Sequence, residues 1–355
     1  MTPSDLLANV SNTSFLDLLA NIYEVHNNFH VFDKTTSLEI IAFEITAVLF
    51  FIGSALFLRR TQKKIFSKLG VAFIFFLLFE MFTASMLSAQ KLGPWAYVYI
   101  TSSWITSMVY GALAVWADYL TNKFLPKYST PNFFVATGIM AIFTMAMEVL
   151  LISLGIRVYS TDTLASLDTG AMGIFFVYYS FIIALITISF YRYWNLGLDK
   201  EAIIPMKYVN LPSFLACFVA IISFDIMTET MVRNEGFWQW SYIYHDISVV
   251  LTLIGTIIIW LAIVLVNHYF NYFGIAKKFG ANFLIAIAPV FALECYLINR
   301  GMRIYNPDTI SNFSGLQIPI INMPVEVFFG SVFYLALVLP LASYVIFLIN
   351  QNTKK

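Results

Sequence analysis

The sequence predicts an all-α integral membrane protein of about nine transmembrane helices, built from repeated helical hairpins. Three observations carry that expectation. Apolar residues make up 60% of the 355 and charged residues 11%, about half the charge of a soluble domain. Apolar runs of about 18 residues or more, long enough to cross a ~30 Å hydrocarbon core as helix, recur along the chain. The runs are continuous instead of alternating, which argues against barrel strands.

The nine runs fall at 37–58, 69–89, 96–120, 132–154, 171–193, 208–229, 246–267, 281–299 and 323–349. They make one polytopic domain over 37–350. Residues 1–36 lack the basic start and apolar core of a cleaved signal peptide and read as a short polar segment outside the cytoplasm. Residues 351–355 read as a cytoplasmic tail. Segments after odd-numbered runs hold 14 Lys and Arg, beginning with Arg59, Arg60, Lys63, Lys64 and Lys68, against six on the other side. The positive-inside rule therefore predicts a cell-membrane protein with its amino terminus outside and its carboxyl terminus in the cytoplasm. Zero formal net charge gives no expectation of a nucleic-acid partner. Cys217 and Cys295 sit inside apolar runs and read as buried structural residues.

A pattern recurs at the outer ends of even-numbered runs. Glu-x6-Gly-x-[Arg/Trp]-x-[Tyr/Trp] occurs as Glu148-Gly155-Arg157-Tyr159, Glu229-Gly236-Trp238-Trp240 and Glu294-Gly301-Arg303-Tyr305. A fourth copy, Gly93-Trp95-Tyr97, keeps the end of the pattern, with Glu80 as the nearest preceding acid. The four repeats thus lie near 80–97, 148–159, 229–240 and 294–305, and repeat interfaces in membrane proteins often hold a site. A glycine just past a helix can take the left-handed conformation that ends it. Seven residues is nearly two turns, so the acid lies ~10 Å inside the helix on about the glycine's face. Residues two apart after the glycine point the same way if the chain is extended. The aromatic residues alone read as an interfacial belt, with Arg snorkelling.

Carboxylates inside spans are costly and face a cavity or a partner. Glu80, Glu148, Asp225, Glu229 and Glu294 near the ends of even runs, with Glu39, Glu44, Asp246 and Glu326 near the starts of odd ones, are expected to converge on a dry pocket near one leaflet. Asp118 stands apart at the opposite end. Glu326 follows Pro324 in the first turn of a helix, where the dipole favours a charged carboxylate. His26 and His30 at i, i+4 have no third ligand in reach, so no metal site is expected. His245 beside Asp246 could share a proton with the acids. No phosphate loop, dinucleotide fingerprint, nucleophile triad or haem pair is found, and cofactor-independent, non-redox chemistry is expected. Asn9, Asn12 and Asn312 lie in glycosylation sequons on the outer side.

The residues of the last repeat resemble a known family. Ile304-Tyr305-Asn306-Pro307-Asp308-Thr309-Ile310, then Gly315-Leu316-Gln317-Ile318-Pro319, then Pro324-Val325-Glu326-Val327-Phe328-Phe329 is similar to the small-membrane-protein type of lycopene cyclase. The likeness covers roughly 294–335, with echoes at 229–250 and 148–172. Val327 stands where the family motif has a second acid, and Arg303 where it often has Trp. The resemblance implies cofactor-free, acid-initiated ring closure of a lycopene-like polyene end group housed in the bilayer, an isomerisation. Protonating an alkene needs a desolvated acid, for which Glu294, Glu229 and Glu148 are candidates. Trp238, Trp240, Tyr305 and Glu326 would stabilise the cation, with Arg303, Trp95 and Tyr97 completing the substrate site. A carotenoid end-group hydratase and a proton-coupled secondary transporter remain alternatives. Acids near one surface, away from mid-membrane, favour an enzyme facing one leaflet.

Overall fold

The computed structural model describes residues 37–99, 101–160, 163, 172–199, 210–311, 313–319, 321 and 323–352. The segment 1–36 with His26, His30, Asn9 and Asn12, the sequon residue Asn312 and the tail residues 353–355 lie outside the described residues. In chain order the helices are α1 Leu38–Leu58, α2 Ile65–Phe82, α3 Trp104–Phe124, α4 Thr130–Ser153, α5 Met172–Leu198, α6 Leu211–Thr228, α7 Val249–Tyr269, α8 Ile275–Asn299, the short α9 Pro307–Ser311 and α10 Val325–Asn352. Among the described residues, eight of them are long and apolar enough to cross a membrane. The protein is an all-α integral membrane protein.

Two apolar runs do not stay helical to their ends. The chain leaves α2 at Thr83, and 87–89 form strand β1. Residues 97–103, read from sequence as the start of a span, instead carry β2 (Tyr97–Tyr99) and β3 (Ser102–Ser103) before α3 begins. Ser103 then caps α3 by accepting a hydrogen bond from the Ile105 N–H, as a serine at a helix start commonly does.

The architecture is a duplication with a spacing of 145 or 146 residues. Helix α2 begins at 65 and ends at 82; α6 begins at 211 and ends at 228. Strand β1 corresponds to β5 (Val232–Asn234), β2 to β6 (Tyr242–Tyr244), β3 to β7 (Ile247–Ser248) and β4 (Arg157–Tyr159) to β8 (Arg303–Tyr305). Helix α3 corresponds to α7 and α4 to α8. The first unit closes with α5, which packs on α2 and α4; the second closes with α10, which packs on α6 and α8. The units meet chiefly through α5 and α10. Ahead of α10 lies the hairpin β9 (Gln317–Ile318) and β10 (Met323–Pro324).

The four sequence motifs therefore group into two pairs, one pair per unit. This also moves one alignment. Lys91, two residues before Gly93, is the counterpart of Gly236, and both are left-handed, at φ 61° and 76°. Trp95 then matches Trp240, and Tyr97 matches Tyr242. Asp225, not Glu229, matches Glu80.

The duplication explains why α3 is the least apolar of the long helices. Helix α1 lies along it, with Phe57 stacked on Trp116 at 5.4 Å and the Trp116 indole donating to Ser54 at 2.9 Å. Val109 and Ala112 of α3 are buried beneath that cover. On α7 the matching positions are Ile254 and Ile257, 36% and 46% exposed. A helix sheathed by protein tolerates polar residues and uses small ones for close approach, whereas one facing lipid must be apolar outward. The two sequences differ accordingly.

The end of the bundle away from the motifs is held by charge. Arg192 of α5, buried, donates from Nε to Asp118 at 2.8 Å and from Nη2 to Asn132 at 2.5 Å. Asp199 accepts hydrogen bonds from Tyr128 at 2.8 Å and from Lys127, and pairs with Lys68 at 3.2 Å. Burial alone would raise the Asp199 carboxyl, but these donors and cations together hold it below the usual carboxylate range.

Candidate functional site

Each unit builds one acid–arginine–tyrosine cluster by the same local steps. Gly155 and Gly301, at φ 67° and 66°, end α4 and α8. The following N–H reaches back to Leu151 at 2.8 Å in the first unit and to Leu297 at 2.9 Å in the second, satisfying carbonyls of the last helical turn. The chain then runs as β4 or β8, clamped antiparallel by β1 or β5: Leu87 faces Tyr159 and Ala89 faces Arg157, as Val232 faces Tyr305 and Asn234 faces Arg303. Extended backbone turns Arg157 and Tyr159 to one side, over Glu148 two turns back; Arg303 and Tyr305 lie likewise over Glu294.

In the first cluster both acids are engaged. Glu148 accepts from the Tyr110 hydroxyl at 2.5 Å, from the Tyr159 hydroxyl at 3.0 Å and from Arg157 Nε at 3.3 Å. Arg157 Nη2 reaches Glu80 at 3.6 Å. Glu80 also accepts from the Thr106 hydroxyl at 2.5 Å and the Ser103 N–H at 2.9 Å. The Arg157, Glu80 and Glu148 side chains are 4%, 6% and 9% exposed. Burial opposes the Arg157 charge, but Glu148 and Glu80 outweigh it and hold the guanidinium above its ordinary range. Burial, reinforced by Glu148, likewise pushes the Tyr159 phenol up.

The second cluster has the same plan with a shorter acid and more exposed side chains. Glu294 accepts from the Tyr305 hydroxyl at 2.8 Å and pairs with Arg303 Nη2 at 3.2 Å. Asp225 accepts from the Thr252 hydroxyl at 2.6 Å. Aspartate is one methylene shorter than glutamate, and no ion pair joins Asp225 to Arg303 among the described residues. Gly255 occupies the Tyr110 position, and the phenol there comes from Tyr334 of α10, whose oxygen lies 4.0 Å from where a Gly255 Cβ would stand. Arg303 and Glu294 are 19% and 16% exposed, and Arg303 Nε is buried without a partner. Its counterpart, Arg157 Nε, is bound. Burial opposes the Arg303 charge, and Glu294, Tyr305 and Asp225 offset it. Burial, with Glu294, pushes the Tyr305 phenol up.

The remaining sequence candidates are placed elsewhere, so the single pocket expected to gather all the acids is replaced by two clusters and separate contacts. Glu229 sits one turn beyond Asp225 and pairs with His245 at 2.6 Å. Glu44 of α1 accepts from the Gly93 N–H at 2.6 Å and the Trp95 indole at 3.1 Å, which makes Trp95 a fastening for α1. The Tyr97 oxygen accepts from the Leu92 N–H, and burial pushes its phenol to about 12. Trp238 and Trp240 stack on each other at 6.0 Å and are 69% and 71% exposed. Glu326, in the first turn of α10, accepts from the Ser314 N–H at 2.7 Å and the Ser314 hydroxyl, and its Oε2 is buried without a partner.

Sequence reasoning missed the donors that complete the clusters, Tyr110, Thr106 and Thr252, and the Tyr334 phenol near Gly255. A tyrosine within an otherwise apolar run was the available signal. Among the described residues, no group of three or more His, Cys, Asp or Glu is placed to hold a metal.

These features define a duplicated polytopic membrane protein with one buried, closed charge cluster and one partly open twin. Comparison with known proteins adds no relative: no family model, curated protein or solved structure matches the chain.

Proposed function

We propose that this is a membrane enzyme that protonates an alkene of a lipophilic isoprenoid or polyene, using the second cluster. The observation that carries the reading is a charge count. Asp225 and Glu294 lie in the field of one cation, Arg303, which pairs directly with Glu294 alone, in a site that is mostly shielded from water. A net buried charge is costly, so the cluster is electrically balanced only when its two carboxyls hold one proton between them. The first cluster has the same count but is sealed; its proton is structural. The second is partly exposed, with Arg303 at 19% and Glu294 at 16%, so its proton can leave.

In the proposed reaction, Asp225 delivers the proton to an alkene carbon and Glu294, held by Arg303 and Tyr305, remains the stabilising anion. Tyr305 and Tyr334 offer ring faces to the carbocation. A neighbouring double bond then supplies the electron pair for ring closure, and loss of a proton from the cation to a carboxylate completes an isomerisation without net change in protons. Water capture of the same cation would give a hydrated end group, so water exclusion selects the product. The resemblance of residues 294–335 to lycopene cyclases supports a polyene end group as substrate. The distribution of Lys and Arg supports a cytoplasmic carboxyl terminus, with both clusters toward the outer leaflet.

The test is expression in a colourless host engineered to accumulate lycopene, with pigments separated by chromatography. The expected result is a cyclic or hydrated product, lost in Glu294→Gln and Asp225→Asn. Unchanged lycopene with well-expressed, folded protein would refute the reading.

A further inference from the structure

The end of the bundle away from the motifs holds a cavity of about 480 Å³. It lies where the two units meet, between Val71 of α2, Trp194 and Leu198 of α5, Tyr272 and Phe273 of the α7–α8 turn, and Lys277 in the first turn of α8. Helix α5 is joined to α8 beside it. The Tyr193 hydroxyl donates to the Ile275 carbonyl at 3.3 Å, and the Trp194 ring meets Phe279 edge-on at 5.0 Å. The walls are thus largely apolar and aromatic, and they belong to both units.

Cations at this end are met by acids in the first unit and not in the second. Arg192 pairs with Asp118, and Lys68 and Lys127 share Asp199. Among the described residues Lys277 and Lys278 pair with no acid, nor does Lys64, which donates to the Leu198 carbonyl at the cavity wall. Lys278 is 8% exposed, and its ammonium donates to the Asn267 side chain at 2.9 Å. Asn267 and Lys278 are the counterparts of Asn122 and Asn132, whose side chains bond at 3.0 Å. The second unit therefore places a cation where the first has a neutral amide. A buried cation without an anion is costly. Gly274 starts α8 with no side-chain cap, so the positive end of the helix dipole adds to the same field.

We propose that this cavity binds one anionic phospholipid, its phosphate beside Lys277 and Lys278 and its glycerol and upper acyl chains along Trp194, Tyr272 and Phe273. Basic pockets between membrane helices take such headgroups, and aromatic rings suit the membrane interface. The apolar walls decide for a lipid over a free phosphate ion, which would leave them uncovered. Because those walls come from both units, the bound lipid braces α2 and α5 against α8.

The full chain in detergent can be mixed with phosphatidylglycerol or phosphatidylcholine, with retained lipid counted by native mass spectrometry and unfolding followed on heating. The expected result is one phosphatidylglycerol held per chain in preference to phosphatidylcholine, with a higher unfolding midpoint. Lys277→Ala and Lys278→Asn should each weaken retention by about fivefold or more. Lys278→Asn rebuilds the amide pair of the first unit, so the fold is spared. Ala276→Trp fills the cavity and leaves the charges in place; it should abolish retention. Lys123→Ala, at an exposed cation of the same end, should change nothing. Equal retention of the two lipids, or phosphatidylglycerol retention unaltered in Lys278→Asn and Ala276→Trp, would overturn the proposal. A midpoint raised as much by inorganic phosphate as by phosphatidylglycerol would overturn the lipid and assign the site to a free anion.

Discussion

Replacing the central arginine of each cluster should separate the closed site from the open one. In Arg157→Met the similarly long side chain keeps much of the packing, but Glu80 and Glu148 lose their shared cation. Breaking a buried ion pair from one side costs roughly 3–5 kcal/mol. The loss has a ceiling, because the stranded carboxylate can take up a proton. Protonating a carboxyl of ordinary affinity at pH 7 costs about 4 kcal/mol, and about 1.4 kcal/mol less for each pH unit of acidification. The predicted penalty is therefore about 3–4 kcal/mol at pH 7, shrinking steadily toward pH 5. Arg303→Met removes one direct ion pair instead of two, between side chains that are 19% and 16% exposed. Water screens that pair, and the expected loss is about 1–2 kcal/mol. Denaturant unfolding in detergent micelles at two pH values reads both. A penalty at Arg157 that does not change with pH, or one at Arg303 of equal size, would refute the reasoning.

Other outcomes follow from single contacts. Asp225→Glu gives Arg303 the second acid that Arg157 already has; it should stabilise the fold by about 0.5–1 kcal/mol and depress product formation, measured by unfolding and by pigment yield. Gly301→Ala forces a side chain onto φ 66° and should cost about 1–2 kcal/mol in the same unfolding assay. Asp199→Asn should cost about 1–2 kcal/mol at neutral pH. The Asp199 carboxyl is depressed in the fold, so its contribution is complete above the unfolded value of about 3.9. It disappears as pH falls through the lower folded value, and the gap between the two proteins should close in acid. Trp240→Leu, at a ring 71% exposed, should change stability by less than about 0.5 kcal/mol.

The helices were legible because continuous apolar runs have few other meanings at this length. Their ends were less so: Thr83, residues 97–99 and residues 101–103 lie in runs apolar enough to pass for membrane-spanning helix, yet the chain turns at Thr83 and pairs β2 with β3 ahead of α3. The recurrence of Glu, Gly, Arg and Tyr pointed to Glu148, Glu294, Arg303 and Tyr305, and the structure brings each with its own motif partners. Spacing alone could not say that four motifs are two pairs, since the 145-residue register becomes visible only through matching strands and helices. Nor could it pair Glu80 with Arg157, because those residues come from different hairpins. At Trp238 and Trp240 residue type alone could not decide, because an indole that suits a cation equally suits a membrane interface.

The central claim is that chemistry resides in the second cluster and structure in the first. Pigment conversion by Asp225→Asn and Glu294→Gln, set beside Glu80→Gln and Glu148→Gln at equal amounts of folded protein, tests it most directly. The account predicts that the first two abolish product while the last two retain it in whatever fraction folds. Product surviving in Asp225→Asn and Glu294→Gln, but lost in folded Glu148→Gln, would contradict it.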